Sequence, residues 1–343
     1  MSTELGIPLS VLDVAPVPEG STPGDALRNS LDLAPRVERL GFLRHWVAEH
    51  HNMPGIASSA PAVLLAHIAS VTSTIRVGSG GVMLPNHSSL VIAEQFGMLE
   101  ALHPGRVDLG IGRAPGTDQL TAQALRRAQP SADDFPDQLL DLFSYFDGEW
   151  PAEHPYRAIT ATPGLGYRPA IWMLGSSDYG AHAAGVLGLP YSFAHHFAAA
   201  NTMLAARTYR EAFRATGTID QPYLMLGVSV VCGETDEHAA WLASPGALSF
   251  VRSRSGRPGR FPTPEEAAAY EYSPQEQALL KERMGSQIVG GPQTVRDELA
   301  ALAERTAADE LMITTAVHAQ ADRVRSYERI AEAVGLQPVA TTA

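Results

Sequence analysis

Short apolar runs alternate along this chain with longer stretches whose apolar residues recur every three or four positions. This alternation predicts repeated strand–helix units around a parallel sheet, because parallel strands are buried on both faces and read as continuous apolar runs. Eight units favour a closed α/β fold, the TIM (β/α)8 barrel, and an open doubly wound sheet is the alternative. The predicted strands are 9–15, 45–49, 76–83, 107–112, 170–174, 191–194, 224–232 and 311–317.

Helical periodicity supports this count of units. Residues 25–40 place Leu27, Leu31 and Val37 on one face, and residues 292–305 show the same spacing. The length of 343 residues would also accommodate two domains. Because α/β barrels often fill such a length as one unit, residues 1–343 are interpreted as a single barrel domain.

One region interrupts the alternation after the seventh predicted strand. Residues 244–291 combine an arginine-rich stretch containing Ser, Gly and Pro with a helix predicted over 264–284. The region is too long for an ordinary loop, and in a barrel an insertion after a strand emerges on the C-terminal face, where active sites lie. It is predicted to be a mobile lid, and the alternative is a solvated surface excursion without a catalytic role.

The acidic balance of the chain limits its partners. The formal net charge of −12 argues against a surface that attracts nucleic acid or anionic membranes, so any anion must be bound by a local site. The single cysteine, Cys232, lies in an apolar run and is interpreted as a buried thiol in a reducing compartment. The N-terminus shows no signal-peptide pattern, and no segment is long and apolar enough for a membrane span, so a cytoplasmic protein is expected.

Candidate site residues follow the second and third predicted strands. His50 and His51 come where barrel side chains point into an active-site mouth, and a neutral imidazole can act as a general base; a purely structural histidine is the alternative. Gly80 and Gly81 lie inside a strand, where glycine weakens the sheet. They indicate either a flat ligand close to the backbone or a β-bulge that shapes the barrel.

Residues after the fourth and fifth strands predict an anion site. Arg113 follows the fourth strand in a glycine-rich loop, where its guanidinium can bind a phosphate or form a surface ion pair. Ser176 and Ser177 precede a helical stretch, where free N–H groups and hydroxyls can bind an anion, although an ordinary serine cap shows the same letters. Together the three residues describe a two-sided phosphate clamp, called the clamp below.

Motifs for several other chemistries are missing from the sequence. It has no cysteine pair, no His-Glu-x-x-His, no Walker loop, no Gly-x-Ser-x-Gly, and no Gly-x-Gly-x-x-Gly after the first strand. Nothing therefore indicates structural zinc, serine hydrolysis or a Rossmann dinucleotide site. His195 and His196 are poor joint metal ligands, since neighbouring strand residues point to opposite sides, and one of them is expected to face the barrel interior.

Three ordered segments carry a resemblance to a known family. Residues 46–51 read Trp-Val-Ala-Glu-His-His, residues 76–85 contain Gly-Ser-Gly-Gly-Val-Met-Leu-Pro, and residues 105–113 read Gly-Arg-Val-Asp-Leu-Gly-Ile-Gly-Arg. The chain resembles the bacterial luciferase-like, flavin-dependent monooxygenases. The resemblance implies a barrel that binds FMN at its C-terminal face, where reduced FMN and O2 give a C4a-peroxyflavin that oxygenates a small organic substrate.

The resemblance also implies roles for single residues. His50 is similar to the family's active-site histidine, Gly80–Gly81 to a non-proline cis peptide beside the flavin ring, and Arg113 to the phosphate-binding arginine. Asp118 is similar to an acidic residue near the flavin, although its loop is one residue shorter than in luciferase. The residues expected to contact the cofactor are Gly80, Gly81, Met83, Gly112, Arg113, Asp118, Ser176, Ser177 and His195.

Two positions depart from luciferase itself. Gly112 replaces a reactive cysteine beside the flavin and is expected to leave open space there. His195 replaces an indole of the sixth strand, so luminescence is not predicted. Met83 is expected to join Leu84 and Met173 in an apolar wall that excludes water from the flavin.

The sequence thus predicts an FMN-dependent monooxygenase. A separate NAD(P)H:flavin reductase is expected to supply the reduced FMN, and a homodimer is expected from the family. The Ala-, Arg- and Gly-rich composition favours a high-GC bacterial source, in which such enzymes modify secondary metabolites. The alternatives are an F420-dependent hydride transferase on the same barrel and a flavin-binding protein without turnover.

Overall fold

The computed structural model describes residues 5–114, 116–125 and 134–339. Its strands are β1 (Leu9–Asp13), β2 (Arg44–Val47), β3 (Arg76–Met83), β4 (Val107–Gly112), β5 (Ala170–Gly175), β6 (Tyr191–Phe193), β7 (Leu224–Cys232), β8 (Gln287–Gly290) and β9 (Glu310–Thr314). Its helices are α1 (Pro23–Arg39), α2 (Pro61–Ser70), α3 (Ser89–Leu102), α4 (Gln119–Ala124), α5 (Asp134–Asp147), α6 (Asp178–Val186), α7 (His195–Ala198), α8 (Thr202–Ala212), α9 (Asp236–Arg254), α10 (Pro264–Ala268), α11 (Pro274–Met284), α12 (Pro292–Thr306) and α13 (Gln320–Ala333). Among these helices none combines the length and the apolar character that a membrane crossing requires.

The strands close into a parallel barrel. β1 to β7 pair in chain order, and β9 lies between β7 and β1, so that eight strands form a ring. This closure confirms the predicted TIM barrel and is incompatible with an open sheet, which would leave two edge strands. Each of the eight predicted strands overlaps a strand of the ring.

A ninth strand, β8, lies outside the ring. The long strand β7 pairs with β9 through Met225–Ser229, and its last residues, Ser229–Cys232, pair with β8. β8 falls inside the segment 244–291, for which no strand was predicted. Its four residues have one pairing partner and are too short to show a strand pattern in the sequence.

The segment 244–291 is more helical than its composition suggests. Helix α9 continues into the segment as far as Arg254. The prediction of one helix over 264–284 is wrong, because α10 ends at Ala268 and α11 begins at Pro274. The break has a local cause: Ser273 and Glu276 form a capping box, and Pro274 occupies the first turn of a new helix.

Buried charges seal the N-terminal end of the barrel. Arg44, the first residue of β2, donates from Nη1 to Asp108 at 2.8 Å and from Nε to Glu310 at 3.0 Å. Both carboxylates are fully buried. Trp46 and Trp172 pack edge-to-face in the next layer, with ring centroids 5.2 Å apart. These side chains fill the interior at this end of the barrel.

Cys232 lies in the core at the end of β7. Its side chain is fully buried, and burial raises the pKa of the thiol to about 11. The thiol is therefore protonated at neutral pH and has the structural role predicted for it.

Candidate functional site

A cavity of about 850 Å³ opens at the C-terminal ends of the barrel strands. Its volume is in the range of sites that hold a cofactor or a small organic molecule. Residues of the segment 244–291, among them Phe250, Arg254 and Arg283, cover part of the mouth. The wall contains most of the predicted site residues, namely His50, Gly80, Gly81, Met83, Gly112, Arg113, Ser176 and Ser177.

Glu49, at the end of β2, organises one side of this cavity. Its carboxylate is fully buried and accepts hydrogen bonds from Nε2 of His51 at 2.9 Å, Nε2 of His87 at 2.9 Å and the backbone N–H of Met83 at 3.0 Å. Burial raises the pKa of the carboxyl, but His87, His51 and Met83 together lower it below its ordinary value. The ionised Glu49 therefore ties the end of β2 to the turn after β3, and His87 is a member of this group that sequence reasoning missed.

His50 lies beside this group with its ring on the cavity wall. Burial lowers the pKa of the imidazole, against opposing contributions from the Gly116 carbonyl and Glu49, so the ring is neutral at pH 7. Nδ1 is buried and has no hydrogen-bond partner among the described residues. Nδ1 can act as donor or acceptor, according to which tautomer the neutral ring adopts. His50 thus brings one ring nitrogen without a partner among the described residues to the cavity wall.

Gly80 and Gly81 present bare backbone to the cavity, a surface called the glycine platform below. The peptide between them is cis, as the resemblance implies. A Cβ on Gly80 would lie 2.6 Å from Cδ1 of Leu12, and one on Gly81 would lie 2.8 Å from the carbonyl oxygen of Gly110. The pairing of β3 with β4 also shifts by one residue here, so the bulge given as an alternative is present.

Gly112 differs from its expectation. It was expected to leave open space, but a Cβ there would lie 3.0 Å from Cε and 3.1 Å from Sδ of Met83. The methionine therefore fills the space that a side chain at position 112 would take. Met83 itself lines the cavity and supplies an apolar contact surface beside the glycine platform.

The clamp residues come together at another part of the wall. The guanidinium of Arg113, after β4, lies over the ring of Tyr179 at 3.9 Å from its centroid. Ser177 is the N-cap of α6 and makes no side-chain capping bond, which leaves its hydroxyl available, whereas the N–H of Tyr179 in the first turn donates to the Asp178 carboxylate at 3.0 Å. Cation–π stacking holds the guanidinium close to this helix start. The arrangement fits the phosphate group of a nucleotide-like ligand.

Two predicted residues lie outside the cavity wall. Asp118 is the N-cap of α4: it accepts from Thr121 N–H at 2.9 Å and from Nδ2 of Asn52 at 2.8 Å. These hydrogen bonds, that of Asn52 first, lower the pKa of its carboxyl to about 2. An acidic residue before a helix is an ordinary capping signal, which accounts for Asp118 without a ligand.

The histidine pair after β6 is placed differently from its prediction. β6 ends at Phe193, and His195 and His196 belong to the short helix α7, so the alternation of a strand does not apply to them. His195 is buried, with Nδ1 2.7 Å from the hydroxyl of Thr202. His196 faces the cavity, which confirms that one of the pair does so, although His195 had been assigned to the flavin.

The hydrogen bonding of His196 defines its tautomer. Nδ1 lies 2.8 Å from the carbonyl oxygen of Gly227, and since a carbonyl only accepts, Nδ1 carries a proton. Burial lowers the pKa of the ring to about 4, although the bond to Gly227 opposes this. The ring is therefore neutral at pH 7, and Nε2 is an acceptor. His196 was missed as a site residue because its direction depends on where the strand ends.

Comparison with known proteins gives full-length matches. A sequence profile described as luciferase-like monooxygenase matches residues 8–310. A protein of Bacillus subtilis (strain 168) described as uncharacterized protein YvbT is 50% identical over 324 residues, covering 94% of this chain and 96% of the relative. A luciferase-like monooxygenase of Escherichia coli (strain K12) is 42% identical over 327 residues, 95% of this chain and 96% of the relative. The N-acetyl-S-alkylcysteine monooxygenase of Bacillus subtilis (strain 168) is 34% identical over 332 residues, 96% and 98% of the two chains.

Solved structures share the fold along the whole chain. Apo-MsnO8 superposes with a TM-score of 0.89 at 40% identity, covering 97% of this chain and 100% of its own. The oxygenating constituent of 3,6-diketocamphane monooxygenase of Pseudomonas putida, in complex with FMN, has a TM-score of 0.71 at 18% identity over 98% and 100%. An F420-dependent secondary alcohol dehydrogenase with an F420–acetone adduct has a TM-score of 0.70 at 12% identity over 96% and 99%. At these two lower identities the likeness is one of fold alone.

Proposed function

The chain belongs to the luciferase-like monooxygenase family, and on this premise we propose that it is an FMN-dependent monooxygenase that uses reduced FMN and O2 to oxygenate a small organic substrate. The observation that supports this most directly is the presence of the glycine platform and the clamp on the wall of one cavity. A planar ring system can lie against bare backbone, and a cation beside a helix start can bind its phosphate.

The residues of this chain fit FMN at three kinds of contact. The glycine platform would face the ring system, with Met83 beside it, because all three residues lie on the cavity wall. Arg113, Ser176 and Ser177 would hold the phosphate. The unused Nδ1 of His50 would meet a polar edge of the ring or of the substrate. Asp118 and His195 lie outside the wall, so we propose no contact of either with FMN; their hydrogen bonds go to Asn52 and Thr202 respectively.

Bound reduced FMN would supply the electrons that activate O2. The chain's own residues would exclude water, because Met83 and Leu174 line the cavity with apolar groups. Both His50 and His196 are neutral at pH 7, so each can accept a proton, His196 at Nε2. We assign His50 the catalytic role, in agreement with its place at the end of β2.

An anaerobic titration followed by an oxygen pulse tests the proposal. The protein is titrated with photoreduced FMN, mixed with O2, and the flavin absorbance is followed by stopped flow. We expect a flavin spectrum that outlives the reaction of free reduced FMN and that His50→Ala shortens. Arg113→Met should weaken FMN binding by at least about 10-fold with riboflavin binding unchanged, since it removes a charged hydrogen-bond donor to the phosphate. Arg257→Met, at an exposed position outside the cavity, is the matched control.

Other outcomes would identify the alternatives. Tighter binding of F420 than of FMN would replace the monooxygenase by an F420-dependent hydride transferase. Tight binding of oxidised FMN, with reoxidation at the rate of free flavin, would indicate a flavin-binding protein without turnover. Equal binding of FMN to the wild type and Arg113→Met would contradict the assignment of the clamp.

We also propose that a separate NAD(P)H:flavin reductase supplies the reduced FMN and that the protein acts in the cytoplasm as a homodimer. The sequence has no Gly-x-Gly-x-x-Gly after β1, which supports the need for a reductase. Steady consumption of NADPH by the protein and FMN alone would contradict this part of the proposal. Sedimentation at micromolar concentration measures the oligomeric state.

A further inference from the structure

Arg283, in the last turn of α11, places a cation on the cavity wall away from the clamp. Its Nη1 donates to the carbonyl oxygen of Gly246 at 2.9 Å, and its guanidinium lies 4.7 Å from the ring centroid of Phe250. With the amide of Gln287 oriented so that its oxygen faces the guanidinium, Nη2 and Nε donate to it at 2.8 and 3.0 Å. These neutral contacts fix the side chain, and none of them brings a counterion to its charge.

Arg283 is half-buried and differs from the buried arginines Arg44 and Arg323 in having no counterion among the described side chains. Arg44 pairs with Asp108 and Glu310, and Arg323 pairs with Asp13. No carboxylate among the described side chains lies within ion-pair distance of Arg283. Burial lowers the pKa of its guanidinium to about 10, which still leaves it charged at neutral pH. Removing an unpaired cation from water costs free energy, so binding of an anion beside Arg283 would be favourable.

The position of Arg283 separates it from the clamp. Arg113 follows β4, whereas the partners of Arg283 lie near β7: Gln287 is the residue that pairs with Ser229 of that strand. β5 and β6 lie between β4 and β7 in the ring. The two arginines therefore reach the cavity from different walls. A cofactor phosphate bound at Arg113 would leave Arg283 available for a second, different ligand.

The surroundings of Arg283 describe what that ligand is like. Phe250 and Phe261 of the covering segment line the cavity together with Phe197, which is an apolar environment. Ser286 and Gln287 add a few polar groups close to the cation. An apolar body that ends in one planar anion matches this combination, because a guanidinium binds a carboxylate through two parallel hydrogen bonds.

We propose that Arg283 binds the carboxylate of the substrate, and that the substrate class is a small organic acid with an apolar body. This inference rests on the proposed function, because only an oxygenation reaction would make the bound acid a substrate. The binding of an acid at Arg283 does not itself depend on the proposed function. His196 lines the same cavity, where its Nε2 is an acceptor.

Paired acids and amides test the proposal. Calorimetric titration of the FMN-loaded protein uses 3-phenylpropanoate, octanoate and N-acetylmethionine, each beside its primary amide. We expect at least one acid to bind the wild type about 10-fold or more tightly than its amide, the size of one charged hydrogen-bonded contact. Arg283→Met should remove this preference and leave the amide affinity unchanged, while Arg283→Lys should keep part of it. Arg257→Met is again the control.

Three results would overturn the assignment. One is a wild type that prefers none of the acids to its amide; another is a preference that survives in Arg283→Met. A third is a loss of FMN affinity in Arg283→Met with riboflavin affinity unchanged, which would assign Arg283 to the cofactor phosphate. If the role of Arg283 were only structural, Arg283→Met would lower the melting temperature and weaken acid and amide alike. Because FMN affinity is measured separately by flavin fluorescence, failure of the FMN proposal is recognised independently, and the acid–amide comparison is then made on the protein without FMN.

Discussion

At the scale of single residues, two neutral imidazoles determine how the cavity can handle a proton. His196 carries its proton towards the carbonyl of Gly227 and keeps Nε2 as an acceptor, and His50 has a buried Nδ1 without a partner among the described residues. Burial is the largest cause of the lowered pKa in each ring. Both are therefore bases throughout the neutral range, and neither needs to lose a proton before it can accept one.

The lowered pKa of His196 predicts a pH dependence of stability. The pKa falls from 6.5 to about 4 on folding, so between these values the unfolded state binds the proton more strongly. Stability from this group is fully present above pH 6.5 and is lost as the pH falls to about 4. At about 1.4 kcal/mol per pKa unit, the loss is about 3 kcal/mol. Urea unfolding at pH 7 and pH 4.5 should show a smaller acid loss for His196→Gln than for the wild type.

The matched control for this prediction is His182→Gln, at an exposed position of α6. It should reproduce the acid loss of the wild type. An identical acid loss in His196→Gln and the wild type would show that the ring of His196 is not responsible.

Some site residues were predictable from sequence because they follow a strand, and side chains at the C-terminal end of a barrel strand point towards the cavity. His50 and Arg113 come directly after strands whose apolar runs mark their ends, and both lie on the cavity wall. Arg283 was not singled out, because its position depends on how α11 folds back over the barrel. Met83 was expected near the flavin, but its occupation of the space beside Gly112 depends on a side-chain conformation.

At the scale of elements, the N-terminal cap of helix α11 is relevant to ligand binding, because the same helix carries Arg283. Ser273 and Glu276 begin the helix through a capping box, and Arg283 lies in its last turn. The helix is short, and isolated helices of this length are marginal in water. Its start therefore contributes to holding the guanidinium in place.

Ser273→Ala is expected to loosen α11 without unfolding the barrel. Loss of an N-cap costs about 1 kcal/mol, which corresponds to a few-fold weaker binding of acids at Arg283. Amide hydrogen exchange should accelerate in α11, and FMN affinity should stay unchanged. Thr263→Ala removes the equivalent cap from α10, which does not carry the arginine, and serves as the control. Slow exchange in α11 of Ser273→Ala would contradict the expectation.

The regular elements were the predictable part of the fold. The apolar runs of β3, β4 and β7 have the same bounds in the structure as in the sequence analysis, because buried parallel strands leave little choice of pattern. The irregular elements were not predictable. β8 is defined by pairing with the end of β7, and α7 by the termination of β6 at Phe193; both depend on contacts distant in the chain.

At the scale of the whole molecule, the ion pairs that stabilise the barrel and the residues that line the cavity lie at opposite ends of the barrel axis. The buried ions at its N-terminal end touch no residue of the glycine platform or the clamp: Arg44 contacts Asp108, Glu310 and, at 4.7 Å, the ring of Trp172. The cavity residues lie at the opposite ends of the same strands. Changes at one end are thus expected to leave the other unaffected.

Arg44→Met tests this separation. Removal of the guanidinium leaves Glu310 and part of Asp108 as uncompensated buried charges, which is expected to lower the free energy of unfolding by about 3–5 kcal/mol. FMN affinity of the folded fraction should stay within twofold. Arg28→Met breaks an exposed pair with Asp25 and should leave the denaturation midpoint unchanged. A parallel loss of FMN affinity in Arg44→Met would show that the two ends are coupled.

Because the buried ions fill the N-terminal end of the barrel, ligands of the described cavity enter and leave at the C-terminal ends of the strands. On the proposed function, the flavin lies deep against β3, and the acid binds under the covering segment, nearer the mouth. With this placement the cofactor would have to bind before the acid, and it would be exchanged only after the product had left. The filled end of the barrel would thus impose an order of binding and release on the reaction proposed at the other end.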